Sequence, residues 1–383
     1  MKEGWSLTPL GEILEKSEEW IDINPEGRYK QITVKIWGKG VIERNEVTGA
    51  EISGSKRLKV KAGEFIVSRI DARHGAFGLI PDFLDGAIVT NDFPVFIPNP
   101  SCILPKYLDW MSKTRSFIDL CVAASEGTTN RVRLKEDRFL SMQIPLPPLD
   151  EQRRIVARIE ELATKVEEAR LLRRQTEQEI NATLFGAYKK IIDDAQWLPM
   201  EEVAPLERRA IEVKLSESYP ELGVRSFGKG TFHKPALNGA EVGTKKLFRI
   251  EPGDLVFQIV FAWEGAIAVA QEKDQSRFGS HRFLTCVPKR AMATSPFLCF
   301  HFLTKKGLQD LGEASPGGAG RNRTLGLKAL ANIKVPVPSY EKIIWFDDLQ
   351  AKVDALKHLQ AQTATELDAF IPSILDKAFK GEL

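Results

Sequence analysis

Two short stretches carry side chains suited to reading a nucleic acid. Glu126-Gly127-Thr128-Thr129-Asn130-Arg131-Val132-Arg133 gathers hydroxyls, an amide and guanidiniums in a turn-rich segment between two expected helices. Arginine can bond both acceptors on a guanine edge, and asparagine can pair with adenine in the same two-point way. Threonine hydroxyls and backbone amides hold phosphates. Gly317-Gly318-Ala319-Gly320-Arg321-Asn322-Arg323-Thr324 has the same ingredients. For either stretch alone, a solvated basic loop is the bland reading; their recurrence at matching places in a repeat favours function. Ser68 to Gly75, with Arg69, Arg73 and His74, is a further candidate, as is the Lys229 to Lys234 segment with Lys229, His233 and Lys234. A lone histidine such as His74 is more often a surface residue than a base reader.

Catalytic patterns are missing. No Gly-x-x-x-x-Gly-Lys-Ser/Thr cradle for a nucleotide occurs, and the glycines from Gly312 to Gly320 lack the lysine. The sequence has no His-Glu-x-x-His, no dinucleotide-binding Gly-x-Gly-x-x-Gly after a strand, and no Asn-Pro-Pro-aromatic or Asp-Pro-Pro-aromatic tetrapeptide of an amino-methyltransferase. The chain is therefore expected not to be an enzyme, and no cofactor or metal site is assigned to it.

The candidate loops must be positioned by a repeat. Gly38-Lys39-Gly40 recurs as Gly228-Lys229-Gly230, Lys61 to Val67 as Ile250 to Val256, and Arg131-Val132-Arg133 as Arg321-Asn322-Arg323, all at a period of about 190 residues. Trp5 and Trp197 open the two copies. Within the first copy, Trp5 to Glu15 reads as a short opening helix. Strands are expected at Tyr29–Trp37, Glu64–Ile70 and Phe93–Ile97, and Pro105 opens a helix with Tyr107, Met111, Thr114, Phe117 or Ile118 and Cys121 on one side. In the second copy, Leu255–Trp263, Ile267–Ala270 and Phe283–Val287 read as strands and Pro296–Leu311 as the matching helix.

Each copy ends in a proline-rich junction that leads into a long helix. Pro145, Pro147 and Pro148 hold their predecessors extended, and Asp150 and Glu151 then mark a helix start. Ile155, Ile159, Leu162, Val166 and Ala169 alternate in steps of four and three, the seam of a coiled coil, before Arg173 and Thr176 turn it polar and Ile180 resumes it. After Pro336-Val337-Pro338 and Ser339, a second seam runs through Phe346, Leu349, Val353, Leu356, Gln360, Thr363, Leu367, Phe370 and Ile374. The two helices, from Asp150 to about Ala187 and from Ser339 to about Leu375, are expected to pair antiparallel, with a bend or short break near Ala369 caused by Pro372. Ile155, Ile159, Leu162, Val166, Leu349, Val353, Leu356 and Leu367 are the expected pairing positions.

Composition agrees with a globular chain: 383 residues, 43% hydrophobic, 28% charged and a net charge of +2, with basic groups concentrated in the globular parts. No apolar run reaches the roughly 18 residues of a membrane span, and the first residues lack an apolar leader, so a cytoplasmic protein is expected. Cys102, Cys121, Cys286 and Cys299 are scattered without a Cys-x-x-Cys pair and read as reduced core residues. The fold class expected is α+β, with two pseudo-repeated β-rich domains (1–149 and 191–338) separated by antiparallel coiled-coil helices (150–190 and 339–383).

These residues resemble the DNA specificity subunits of Type I restriction-modification systems. The resemblance is carried by Gly63 to Ile70, Asn91-Asp92-Phe93-Pro94-Val95-Phe96, the Thr129 to Arg133 loop, Ile144 to Gln152 and the ending Ile371 to Phe379. The second junction departs from it, because Ser339-Tyr340-Glu341-Lys342 lacks Leu-x-Glu-Gln, which implies unequal partner contacts. The resemblance implies two target recognition domains that each read half of a split double-stranded DNA site. It also implies paired helices that space the domains and dock two methyltransferase subunits, with motor-nuclease restriction subunits joining them. A scaffold of two β-rich modules on a coiled coil, binding protein or glycan, is the alternative; salt-dependent DNA affinity separates the two.

Overall fold

The computed structural model describes residues 4–127, 132–317 and 323–382. The chain divides into two compact units, 1–174 with 360–383, and 175–359.

In the first unit a long hairpin, Arg28–Val34 with Val41–Thr48, forms one side of a five-stranded sheet with Ile88–Val89, Lys56–Lys59 and Trp20–Asp22. A second sheet joins Leu14–Lys16, Val95–Pro98, Phe65–Val67 and Phe77–Leu79 in that order. Its strand Phe65–Val67 is fully buried because it packs on both faces, which is why it reads as an unbroken apolar run. Phe65, Phe77, Phe117 and Phe139 meet edge-on or stacked at 5.3 to 6.3 Å in the core.

The second unit repeats this plan. Its hairpin, Ser218–Val224 with Thr231–Asn238, carries its register shift where the first hairpin does, between Pro220 and Leu222 as against Gln31 and Ile32. Leu255–Gln258 lies between Ile267–Val269 and Phe283–Cys286. Where the first unit has a fourth strand pairing Phe96 with Lys16, the second keeps a single bridge, Cys286 with Leu206. Cys121 and Cys286 are buried, and burial pushes their thiols up to about 12.

Several sequence expectations change. Trp5–Glu15 is not a helix: Ser6–Pro9 is a strand paired antiparallel with Gln143–Leu146, and only Leu10–Ile13 is helical. The proline junction is thus itself an edge strand, a place where a missing N–H is tolerated; Lys334–Val337 pairs in the same way with Gln196–Pro199. The helix from Pro105 is two helices, Pro105–Ser112 and Arg115–Ala123, because the Thr114 hydroxyl accepts the Phe117 amide at 3.2 Å and caps a new start. Thr304 makes the same break between Ser295–Leu303 and Lys305–Glu313. Finally, no break occurs at Pro372, since one helix runs Tyr340–Lys380. The flanking Ile371, Ile374 and Leu375 pack on the first unit's core and hold that turn despite the lost amide bond.

The other long helix spans Leu149–Ile192. Within the first unit its start, Ile155, Val156, Ile159 and Leu162, shares a core with the end of the second helix, Ile374, Leu375, Ala378 and Phe379. Within the second unit its end, Leu184, Tyr188 and Ile191, packs with the start of the second helix, Ile343, Phe346, Leu349 and Val353. Start meets end in one unit and end meets start in the other, so the helices are antiparallel. Two of the expected polar seam positions bond each other, Arg173 to Thr363 at 2.6 Å. Val166 is buried and Leu367 half-buried. Leu356 is a correction: its side chain is 41% exposed, because the apolar seam of the second unit stops at Val353.

Candidate nucleic-acid interface

In each unit the hairpin tip is tied to a short turn of 3-10 helix. The Trp37 amide donates to the His74 carbonyl at 2.7 Å and the Gly38 amide to the Gly75 carbonyl at 2.9 Å. One repeat later the Phe227 amide donates to the Glu264 carbonyl at 2.8 Å and the Gly228 amide to the Gly265 carbonyl at 2.9 Å. Gly75 and Gly265 end the turns Ala72–His74 and Ala262–Glu264 at φ 76°. A Cβ on Gly75 would lie 3.1 Å from the Gly38 amide nitrogen, so glycine permits both the turn and the close approach of the tip.

The first unit gathers Arg69, Arg73 and His74 on this turn and its approach. The Leu134 amide donates to the Arg69 carbonyl at 2.8 Å, which brings the strand carrying Arg133 alongside. Arg69 is not free: it hydrogen-bonds Glu136, which also takes Lys16 at 2.8 Å. Burial works to raise the Glu136 carboxyl, but the bonds from Lys16 and Arg69 outweigh it and hold the group below the usual carboxylate range. The Arg73 Nε is buried without a hydrogen-bond partner among the described residues. Arg133 is exposed and bonds Asp92 at 3.0 Å.

In the second unit the Leu325 amide donates to the Ile259 carbonyl at 2.9 Å, the counterpart of the Leu134 bond. Measured by these bonds, the register after the loop is one residue longer than the sequence match, so Arg133 corresponds to Thr324 rather than to Arg323. Arg323 is turned inward. Its guanidinium donates to the Gly312 and Ser315 carbonyls at 2.7 and 3.3 Å and lies 5.0 Å from the Trp263 ring centroid. His233 bonds the fully buried Asp274 at 2.9 Å, and Thr231 holds the other carboxylate oxygen at 2.8 Å. Burial raises the Asp274 carboxyl, yet the Gln271 amide, Thr231 and His233 together hold it below its ordinary value. Lys229 is exposed, 5.8 Å from the Phe227 ring, and Lys234 lies 5.6 Å from the Phe283 ring. Thr128, Thr129, Asn130, Arg131, Arg321 and Asn322 lie outside the described residues.

Sequence reasoning singled out Gly-Lys-Gly but passed over the aromatic residue before it. Trp37 is 65% exposed and Phe227 70% exposed. Both sit in left-handed backbone, φ 65° and 62°, at a cost of about 1–2 kcal/mol for a residue with a Cβ. The recurrence of aromatic-Gly-Lys-Gly was the available signal.

The chain is thus a duplicated α+β unit that carries basic and aromatic side chains on matched loops. Residues 2–181 match the family model for the Type I restriction modification DNA specificity domain. Among curated protein sequences, nothing matches. The fold is similar to the crystal structure of the HsdS subunit from Thermoanaerobacter tengcongensis, at 23% identity and TM-score 0.64, covering 100% of this chain and 98% of that one. It is also similar to a structure from work on complex assembly and conformational transition of the type I R-M system, at 22% identity and TM-score 0.73, covering 100% and 99%. The family match covers residues 2–181, and the likeness to the solved structures shows the fold over the whole chain.

Proposed function

We propose that each unit reads one half of a split double-stranded DNA site, and that the chain recruits two methyltransferase subunits and motor-nuclease subunits to it in the cytoplasm while catalysing nothing itself and holding no cofactor. Residues 1–149 and 191–338 act as target recognition domains, and 150–190 and 339–383 as spacer helices. The observation that carries this reading is the repeated lashing of a hairpin tip to a 3-10 turn, with Arg73 and His74 in one turn, Lys229 at the other tip, and Arg133, His233 and Lys234 on neighbouring strands. Two such tips differ in side chains, so they suit two different half-sites. Arg131 and Asn130, with Arg321 and Asn322, complete the base-reading set, and Thr128 and Thr129 hold phosphate.

The test is the methylation pattern of DNA from cells co-expressing this chain with its methyltransferase subunits. A split motif is expected. Binding of a selected duplex should fall steeply with salt, since each neutralised phosphate releases counterions. Methylation of a continuous motif, or affinity indifferent to salt, would overturn the proposal.

A further inference from the structure

The hairpin tips end on large aromatic rings that stand out from their own units. Trp37 and Phe227 occupy one place in the repeat, each followed by Gly-Lys-Gly, and both are more exposed than not. Their left-handed backbone is one that glycine adopts freely and an aromatic residue adopts under strain. Stability alone favours glycine at both positions, yet the chain places a ring there twice. Amide bonds to the 3-10 turn pin each tip, so the ring is presented by a fixed backbone rather than a loose loop. The neighbours are cationic: Lys35 and Lys39 flank Trp37, and Arg225 and Lys229 flank Phe227, all exposed. A fixed, exposed ring among cations fits a partner that offers stacked π faces inside a strongly negative field, which is duplex DNA.

We infer that Trp37 and Phe227 are wedge residues, each pressing its ring against one base step of the half-site its unit reads and partly unstacking it. This rests on the DNA-reading function proposed above. Pyrimidine–purine steps unstack most easily, so the wedge confers sequence preference at a step where no side chain bonds a base edge. An indole and a phenyl ring differ in size and edge chemistry, so the two half-sites should favour different steps.

The experiment compares the wild-type full chain with Trp37→Gly and Phe227→Gly, each co-expressed with methyltransferase subunits and used to select sequences from a randomised duplex pool. Thermal melting is measured on the same preparations. Glycine relieves the left-handed backbone, so melting should be unchanged or raised in both variants. Affinity for the wild-type selected duplex should fall about ten- to hundredfold, the range expected for losing one aromatic–base stack. The selected sequence should relax in one half for Trp37→Gly and in the other half for Phe227→Gly, and Trp37→Phe should recover most of the loss. 2-Aminopurine at the relaxed step should brighten with wild type and stay dark with the matching glycine variant. If wild type selects a split site and both glycine variants select it with equal affinity, the wedge is overturned and the DNA function stands. A lowered melting temperature with unchanged selection marks the rings as structural and also overturns the wedge. If wild type selects no split sequence, the underlying function fails and the inference falls with it.

Discussion

The two junctions where a globular part meets a long helix stand at matching places in the repeat and are held by different chemistry. In the first unit Gln152 is fully buried and its amide spans three backbone groups: it accepts from the Leu104 amide at 2.8 Å and donates to the Cys102 and Pro147 carbonyls at 2.8 and 2.9 Å. In the second unit the corresponding Lys342 reaches out to Asp194 at 2.8 Å, an exposed pair. Packing holds this junction instead. Tyr188 sits among Phe297, Phe300 and Phe346 at 5.3 to 6.1 Å, and its hydroxyl bonds His301 Nδ1 at 2.6 Å. The missing Leu-x-Glu-Gln therefore changes the interior of the junction, because Gln152 is not on the surface where a partner would meet it. A repeat can keep a geometry while exchanging a hydrogen-bonded staple for an aromatic cluster.

Gln152→Ala should break the first junction with the largest effect. It strands a buried amide and two buried carbonyls, at a cost of about 3–5 kcal/mol. Denaturant unfolding should show the loss in the first unit, while Lys342→Ala leaves the second unit's transition in place. If both variants unfold alike, the contrast between the junctions is wrong.

Acid should break the second junction selectively. His301 is fully buried, and burial, with Lys306 nearby, pulls its pKa down from 6.5 to about 3. A histidine lowered in the folded state contributes its full stability above pH 6.5 and loses it as pH falls from 6.5 toward 3, because the unfolded chain takes up the proton first. Between pH 6.5 and 5 the second unit should lose about 2 kcal/mol, at about 1.4 kcal/mol per pH unit. The first unit has Met111 at this place, also buried. His301→Met should flatten the acid limb while costing about 1 kcal/mol at neutral pH through the unpaired Tyr188 hydroxyl. Chemical denaturation at pH 7 and pH 5 checks both signs.

The arginines after the two loops should separate function from stability. Arg323→Ala removes bonds to two carbonyls in a half-buried site and should cost the second unit about 1–2 kcal/mol. Arg133→Ala, at an exposed side chain, should leave melting nearly unchanged and act on DNA. If Arg133 bonds a base edge, one half-site relaxes by about 1–3 kcal/mol; if it bonds phosphate, affinity falls for all sequences and the salt slope drops by about one unit. Loss of melting temperature in Arg133→Ala alone would reverse the assignment.

These contrasts show what was legible in the sequence. The repeat, the proline junctions and both long helices were readable because periodic spacing and helix-start chemistry are local. The breaks at Thr114 and Thr304 were not, since a single hydroxyl-to-amide bond ends a helix whose apolar face continues: Tyr107, Met111, Phe117 and Cys121 are all buried as the spacing required. Nor was the opening strand, whose partner lies at the far end of the first copy. Tertiary pairing overrode local propensity there. For the candidate site, residue type marked Arg69 and Arg323 as readers, but only three-dimensional structure shows their guanidiniums held by Glu136 and by backbone carbonyls. Trp37 and Phe227 escaped because exposure and a positive φ are not written in an aromatic residue's identity.

The smallest effect is expected at Leu356, and it sharpens the comparison between the helix segments of the two units. The seam spacing makes Leu162 and Leu356 equivalent, but Leu162 packs against the first unit's core while Leu356 is 41% exposed. A carboxylate at position 162 loses apolar contact and meets a partly dry surface, so Leu162→Asp should cost about 2 kcal/mol or more. At position 356 the carboxylate stays in water, and helix propensity changes by only a few tenths, so Leu356→Asp should fall within about 0.5 kcal/mol of wild type. Unfolding curves of the two variants, together with methylation of the split site, measure the difference. Equal and large losses would mean that the seam continues past Val353 and that Leu356 is covered when the protein works. A silent Leu356→Asp beside a damaging Leu162→Asp would place the apolar grip of the second unit's helices between Ile343 and Val353, where the packed side chains are found.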